Sequence, residues 1–230
     1  EQSIQAAYSE ASGREVPCVS IEGRPFNLEI IERPDLTVTQ AYTEYGLEEQ
    51  HQKTQIFLSG KQEIRDTTDT LESMGLPKTR ITPFHAKLPR RDLLQATHAN
   101  LRSGEKQIIP STKAGQSGIT IPGLTLVISD GTTRRPELDP DGVEGLFRQY
   151  CAQDEIIQQG GRAGRDVPGG VLVLAKPGDD MFDFKSITAR EEHSPAQIYH
   201  TNIARNVLAV SCLEHNFSEL NRKWLISKVS

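Results

Sequence analysis

Long apolar runs are missing from this sequence of 230 residues. No stretch approaches the roughly 20 consecutive apolar residues that a membrane-spanning helix needs, so we expect no membrane partner. Residues 1–5 carry neither the basic stretch nor the apolar stretch of a secretory signal peptide. We therefore expect an intracellular protein, and the sequence does not separate nucleus from cytoplasm.

Cysteine is scarce. Cys18, Cys151 and Cys212 are an odd number without Cys-x-x-Cys spacing, and the six histidines contain no His-x-x-x-His pair. These patterns argue against a disulfide scaffold and a zinc knuckle. We expect a reducing compartment and no dedicated metal site.

Positive charge is not in excess. The sequence has 26 basic and 31 acidic side chains, which gives a formal net charge of −5. A protein that holds nucleic acid by charge alone is usually basic, because neutralised phosphates supply most of the non-specific affinity. A nucleic-acid role therefore requires a local cationic strip or the help of another domain. With 36% hydrophobic and 25% charged residues, the composition is that of a globular protein.

Strand and helix patterns alternate from residue 54 onward. Short apolar strands are predicted at residues 55–58, 80–85, 106–110, 125–128 and 171–175, and helical stripes at residues 64–74 and 90–101. Strands separated by helices imply right-handed crossovers. The predicted fold class is α/β, a mostly parallel sheet with helices on both faces.

The flanking segments have other patterns. Residues 1–15 indicate the end of a helix, residues 16–20 and 26–31 are predicted to be extended, and residues 32–53 are predicted to be helical.

An insert and a helical tail complete the predicted organisation. Residues 134–150 contain the turn signal Asp-Pro-Asp-Gly and are predicted to form a β-hairpin. Ser194-Pro195 is a helix start, and the pattern stays helical to residue 228, which predicts a helical C-terminal extension.

Residues 158–165, Gln-Gln-Gly-Gly-Arg-Ala-Gly-Arg, are the segment richest in chemistry. Arg162 and Arg165 stand among glycines that let the backbone pack closely. Each guanidinium presents five donors in a planar fork, which suits a multiply charged oxyanion. In isolation, such a pattern is more often a solvated surface turn.

Two further segments follow predicted strands. Residues 111–123, which begin Ser-Thr-Lys-Ala-Gly-Gln, offer hydroxyls, amides and one lysine at the carboxyl end of a strand, where open α/β sheets bind ligands. Residues 56–64 run from a strand into a helix, and the N-terminus of a helix can bind a phosphate. Each alone is a common loop.

Two nucleotide-binding motifs are missing. No G-x-x-x-x-G-K-[ST] phosphate loop and no G-x-G-x-x-G fingerprint occurs anywhere in the chain. The missing fingerprint argues against a Rossmann-type cofactor enzyme. The missing phosphate loop predicts that these residues cannot hold Mg²⁺ and a nucleoside triphosphate unaided.

Together, in this order, the three segments resemble motifs IV, V and VI of the second RecA-like domain of superfamily 2 helicases, most closely the DEAH-box group. Residues 56–64 are similar to motif IV, residues 111–123 to motif V and residues 158–165 to motif VI. Residues 21–26 and 83–88 resemble lesser landmarks of the family. The predicted hairpin falls where the family places one.

The resemblance implies an ATP-dependent nucleic-acid helicase, with RNA as the favoured substrate. It implies that Arg162 and Arg165 are arginine fingers on the γ-phosphate, with Gln158 beside them. It also assigns Gly115, Gln116 and Gly161 to the nucleotide. ATP and Mg²⁺ are then held mainly by a first RecA-like domain of the same protein, which these residues do not contain.

The nucleic-acid track is assigned in the same way. The resemblance implies that single-stranded RNA or DNA contacts these five residues without base reading: Ser59, Gly60, Lys61, Thr112 and Lys113. It also implies a domain order: residues 1–20 are the tail of the preceding domain, residues 21–190 the second RecA-like domain, and residues 191–230 the start of a winged-helix or helical domain.

The sequence departs from the family's motifs at four positions. Gln159 replaces an arginine in motif VI, while motif V has Lys113 for Asn, Gln116 for Glu and Gly118 for Ser. These changes, with the acidic composition, leave a second hypothesis open: a helicase-derived module that binds without turning over ATP. Retention of both arginines favours the enzyme.

Overall fold

The computed structural model describes residues 2–17, 26–85, 88–116, 120–139, 141 and 143–194. The chain divides into two compact units. One spans residues 24–135 and 146–195 and contains the parallel sheet. The described part of the other consists of residues 2–17, 136–139, 141 and 143–145.

Eight strands and five α-helices follow one another along the described residues. The strands are β1 (Leu28–Thr37), β2 (Lys53–Phe57), β3 (Thr79–Ile81), β4 (Lys106–Ser111), β5 (Leu124–Ser129), β6 (Thr132–Leu138), β7 (Glu144–Tyr150) and β8 (Gly170–Lys176). The α-helices are α1 (Gln2–Ser12), α2 (Val38–Ala41), α3 (Lys61–Ser73), α4 (Arg90–Thr97) and α5 (Gln153–Gly160). Short π- and 3₁₀-helical turns occupy Tyr42–Gly46, Lys113–Gly115 and Ile187–Ala189.

Six strands form one parallel sheet in the order β1-β8-β5-β2-β4-β3. Every residue of β5 is buried, and each of β2, β4 and β8 has all but one of its residues buried. Strands buried along nearly their whole length are typical of a parallel sheet covered on both faces. The structure confirms the predicted α/β fold.

Successive strand residues point to opposite faces, so the core has two halves. Ile56, Ile108 and Val173 pack with α2 and α3 on one face. Phe57, Ile109 and Leu172 pack on the other, with Ala96 of α4 and Ile156 of α5. Helices therefore cover both faces, as predicted.

The helix predicted over residues 32–53 is wrong at both ends. Residues up to Thr37 continue β1, which pairs in parallel with β8, and helical turns occupy only Val38–Gly46. The helix begins where the Thr37 side chain accepts from the Gln40 N–H and the Gln40 side chain accepts from the Thr37 N–H. Pairing with a strand more than 130 residues away overrode the local pattern.

The predicted hairpin is present, formed by β6 and β7. At its turn the Asp139 carboxylate accepts the N–H groups of Asp141 (3.0 Å) and Val143 (2.7 Å), as an Asx turn does. Three predicted features lie wholly or partly outside the described residues: the landmark at residues 21–25, residues 117–119 of the motif V segment, and the helical tail at residues 195–228. Within the described part of the chain, none of the helices has the length and apolarity to cross a membrane.

Candidate functional site

Two of the predicted segments meet at the carboxyl edge of the sheet. Strands β2 and β4 are neighbours, with Phe57 opposite Ser111, and the Leu58 N–H donates to the Ser111 carbonyl (2.9 Å). The residues that follow, 59–61 and 112–113, therefore start side by side. The predicted nucleic-acid residues are brought together by this pairing.

Their exposure differs. Ser59 is 6% exposed and Gly60 is buried, whereas Lys61 is exposed in the first turn of α3. The Arg134 guanidinium and the Glu63 carboxylate lie against the Gly60 backbone, and a Cβ on Gly60 would be 2.7 Å from an atom of each. Only glycine fits there without displacing them.

Arg134 and Glu63 form an ion pair over this turn. The Arg134 Nη2 to Glu63 Oε1 distance is 2.8 Å, and the Glu63 side chain is 20% exposed. Burial alone raises the pKa of Glu63, but the Arg134 hydrogen bond and charge outweigh it and the pKa is lowered. The sequence analysis did not single out this pair, because no local pattern joins residues 71 positions apart.

The loop between β4 and β5 starts with a 3₁₀ turn. Thr112 caps it, since its Oγ1 accepts from the Ala114 N–H (3.4 Å). Gly115 is buried against the Gln55 side chain of β2, and a Cβ on it would lie 2.5 Å from Gln55 Nε2. The absence of a side chain at Gly115 lets the loop pack on the sheet.

Lys113 is engaged by a buried carboxylate. Its Nζ lies 2.7 Å from Glu155 Oε1, while the lysine side chain stays 54% exposed and that of Glu155 is 5% exposed. Glu155 Oε2 pairs with Arg135 of β6 and accepts the Ala152 N–H (3.0 Å). Burial raises the pKa of Glu155, but Lys113, the Ala152 N–H and Arg135 together lower it.

The sequence analysis missed Glu155. The available signal was its position: it stands three residues after Ala152, the N-cap of α5, where an acidic side chain bonds the cap N–H. Its two cationic partners are distant in sequence and could not be found this way.

Gln116 joins the β4–β5 loop to the arginine segment. It is 2% exposed, and its Nε2 donates to the Glu155 carbonyl (3.1 Å) and to Gln158 Oε1 (2.9 Å). Its own carbonyl accepts from Arg162 Nη2. The predicted residues Gln116, Gln158 and Arg162 are therefore in direct contact.

The two arginines differ in environment. Arg162 is 9% exposed, and burial, together with the positive charge of Arg165, lowers its pKa. Arg165 is exposed, and its Nε donates to the Gly161 carbonyl (2.9 Å). The pair thus consists of one guanidinium fixed in the protein and one facing solvent.

Gly164 fixes where this segment lies. Its φ of +65° is in the left-handed region, and a Cβ would lie 3.0 Å from the Gly170 Cα. Its N–H donates to the carbonyl of Leu124, the first residue of β5 (2.9 Å). The arginines therefore lie near the amino end of β5, and the β4–β5 loop runs from the carboxyl edge of the sheet to them.

Chemically, this arrangement can bind a multiply charged anion. Two guanidinium groups and a glutamine amide are close in space, and cationic side chains stand near the carboxyl edge. Within the described residues no group of three or more His, Cys, Asp or Glu side chains could hold a metal ion.

The sequence analysis also missed Arg190. It is 5% exposed and donates to the carbonyls of Gly131 (2.6 Å), Cys151 (3.0 Å) and Lys185 (2.7 Å). It thereby ties the segment after β8 to the start of α5. A single arginine in a polar stretch gives no sequence signal for such a role.

Comparison with known proteins identifies relatives of this chain. It is 30% identical over 211 residues to the ATP-dependent RNA helicase HrpA of Escherichia coli (strain K12), which covers 90% of this chain and 15% of that protein. It is 26% identical over 166 residues to the ATP-dependent RNA helicase DHX33 of Mus musculus, which covers 69% of this chain and 23% of that protein. The chain thus spans less than a quarter of the length of either relative.

Solved structures share the fold. The E. coli DExH-box NTPase HrpB superposes with a TM-score of 0.74 at 23% identity, over 90% of this chain and 25% of that one. A second crystal structure, of the E. coli DEAH/RHA helicase HrpB, gives a TM-score of 0.73 at 22% identity, over 93% and 27% of the two chains. The sheet is therefore RecA-like.

The model of the helicase conserved C-terminal domain matches residues 37–167. This range includes the loops after β2 and β4, the hairpin, α5 and both arginines. Because the match covers more than half of the sequence, the chain belongs to the helicase conserved C-terminal domain family, and its relatives are DEAH-box RNA helicases.

Proposed function

We propose that this chain is the second motor domain of an ATP-dependent nucleic-acid helicase that acts on single-stranded RNA, with DNA as the alternative. One observation carries the proposal. The buried Gln116 contacts both Gln158 and Arg162, so the loop predicted to meet nucleic acid is bonded to the segment predicted to meet ATP. A helicase requires such a connection between its two ligands, because each must influence the other.

In this proposal Arg162 and Arg165 are arginine fingers. ATP and Mg²⁺ are held mainly by a first RecA-like domain of the same protein, and the two guanidinium groups neutralise charge on the γ-phosphate. Exposed Arg165 reaches the phosphate, while Arg162 is fixed on the Gln116 carbonyl. Gln158 orients phosphate or water, and Gly115, Gln116 and Gly161 form the nucleotide side of the domain.

The nucleic-acid track in this proposal runs along the carboxyl edge of β2 and β4. Lys61, Thr112 and the exposed half of Lys113 contact phosphates, together with the backbone at Ser59 and Gly60. Such contacts hold a strand without reading its bases. With a net charge of −5, this chain alone binds single strands weakly and in a salt-sensitive way.

The chain is proposed to be one part of a longer motor. The sequence contains no phosphate-binding loop, and it covers 15% of HrpA. We assign residues 1–20 to the end of the first RecA-like domain, residues 21–190 to the second, and residues 191–230 to a winged-helix or helical domain. The 230 residues alone are expected to show no ATP turnover.

The test is charge reversal at the exposed finger, Arg165→Glu, in the protein that joins this chain to its phosphate-loop domain. We expect RNA-stimulated ATP turnover to fall about 10³-fold, since a finger arginine contributes that much to phosphoryl transfer. Arg102→Glu makes the same charge change at an exposed arginine outside the site and leaves turnover unchanged. Unchanged turnover in Arg165→Glu would refute the finger assignment and favour a module that binds without catalysis.

A further inference from the structure

Glu155 connects three separate elements of the parallel-sheet unit. Its Oε1 lies 2.7 Å from Lys113 Nζ in the β4–β5 loop, and its Oε2 pairs with Arg135 at the base of the hairpin. Oε2 also accepts the N–H of Ala152, the residue that caps α5. One carboxylate thus bonds the loop, the hairpin and the helix that leads to the arginines.

A second layer of contacts continues this connection. Gln116 donates to the Glu155 carbonyl (3.1 Å) and to Gln158 Oε1 (2.9 Å), and its carbonyl accepts from Arg162. The path from Lys113 through Glu155 and Gln116 to Arg162 is therefore unbroken. Each step is an ion pair, a hydrogen bond or a covalent connection.

Burial makes the Glu155 contacts specific. Its side chain is 5% exposed, and that of Arg135 is 15% exposed. A carboxylate removed from water is tolerated only when its oxygens are paired, so Glu155 holds its partners in one arrangement. These partners lower the pKa of Glu155 below its ordinary value, which favours the ionised carboxylate.

Lys113 has room for a second partner. Its side chain is 54% exposed although it touches Glu155, and an ammonium group carries three donors. An anion arriving from solvent can bind Lys113 and weaken its bond to Glu155. The position of Glu155 is then sensitive to whether Lys113 is occupied.

We propose that Glu155 is a positioning residue that links phosphate contact at Lys113 to the placement of Arg162 and Arg165. This inference rests on the proposed function for its ligands. Glu155 itself touches neither ligand. It acts by holding the β4–β5 loop and α5 in register.

The test variant is Glu155→Gln in the protein that joins this chain to its phosphate-loop domain. The amide keeps the size of the side chain and loses its charge. We expect maximal ATP turnover at saturating oligouridylate RNA to fall about tenfold, within the usual range of couplings between sites. We also expect RNA affinity to be undiminished. The slope of log RNA affinity against log salt concentration should be steeper by about one, because Lys113 is freed to neutralise a phosphate.

Asp154→Asn is the matched control. It makes the same chemical change one residue earlier on the same helix, at an exposed side chain. It is expected to leave both turnover and the salt slope unchanged. Normal maximal turnover in Glu155→Gln would overturn the proposal, and so would a loss of RNA affinity in this variant.

A measurement on the 230-residue chain separates this link from the proposed function. We expect Glu155→Gln to accelerate amide hydrogen exchange in residues 112–116 and 158–165 together, and Asp154→Asn to leave both unchanged. If only one segment changes, the link is absent whatever the enzyme does. If both change while the longer wild-type protein shows no RNA-stimulated turnover, the proposed function fails and the link remains.

Arg135→Met provides a second route if Glu155→Gln does not fold. It leaves the Lys113–Glu155 pair intact and removes the hairpin partner of Glu155, together with the hydrogen bonds of Arg135 to Gln149 and Ser194. We expect the same two segments to exchange faster and maximal RNA-stimulated turnover to fall about fivefold, at the lower end of usual couplings. No change in either measurement would contradict the proposal.

Discussion

Asp130, at the carboxyl end of β5, shows how far burial changes a single residue. It is 2% exposed, and its Oδ1 accepts both the N–H (2.8 Å) and the hydroxyl (2.9 Å) of Thr132. The Arg148 Nη2 lies 3.4 Å from Asp130 Oδ2. Burial outweighs these favourable contacts and raises the pKa of Asp130 from 3.8 to about 6.

This shift predicts a pH dependence of folding. Asp130 has the ordinary pKa of 3.8 in the unfolded chain and a pKa of about 6 in the folded one. Between these two values the folded state binds more protons than the unfolded state, so the free energy of unfolding falls as pH rises through that interval. In Asp130→Asn this contribution is removed. We expect the stability of the variant relative to wild type to increase by about 2 kcal/mol from pH 4 to pH 7, measured by urea unfolding.

Asp69→Asn, at an exposed position of α3, serves as the control and is expected to show no such trend. A constant stability difference between Asp130→Asn and wild type across this pH range would mean that Asp130 ionises normally in the folded protein.

At the scale of elements, α5 depends on a segment that follows β8. The first N–H groups of a helix have no partner within it. Here the Gln153 N–H donates to the Glu191 carbonyl (2.9 Å) and the Asp154 N–H to the Glu192 carbonyl (3.2 Å). Arg190 fixes this segment by donating to three carbonyls.

Arg190→Met is expected to destabilise the chain by about 3 kcal/mol, because buried carbonyls lose a charged donor. The measurement is urea unfolding followed by circular dichroism. Arg80→Met, at an exposed position of β3, is expected to change the free energy of unfolding by less than about 0.5 kcal/mol. Equal effects of the two variants would show that the Arg190 contacts contribute little.

At the scale of the whole molecule, the central strands form the most buried part of the sheet. Strands β5 and β8 lie inside the sheet, with all but one of their residues buried. Strand β3 is at the edge, has three residues and contains none that is buried. The resistance of backbone amides to opening follows such differences in burial and pairing.

Amide hydrogen exchange of the 230-residue chain is therefore expected to be slowest in β5 and β8 and fastest, among the strands of the parallel sheet, in β3. Protection of β3 equal to that of β5 would contradict this order and indicate that the sheet opens as a single unit.

Local sequence patterns predicted much of the architecture. The mostly apolar runs at residues 55–58, 106–110, 125–128 and 171–175 all lie in strands of the sheet, because a strand covered on both faces favours apolar residues at successive positions. The turn at residues 139–143 was predicted because an aspartate side chain bonds its own neighbouring backbone. The apolar runs and the turn signal each involve residues only a few positions apart in the sequence.

Local patterns of polarity and residue type are enough to predict the α/β class, the order of the elements and the segments that carry the helicase-type motifs. Other features follow from contacts between distant parts of the chain: the extension of β1 to Thr37, the burial of Ser59 and Gly60, the role of Arg190, and the pairing of Lys113 with Glu155. Each depends on residues distant in the chain. Their contacts follow from how the sheet and helices pack, which no local pattern specifies.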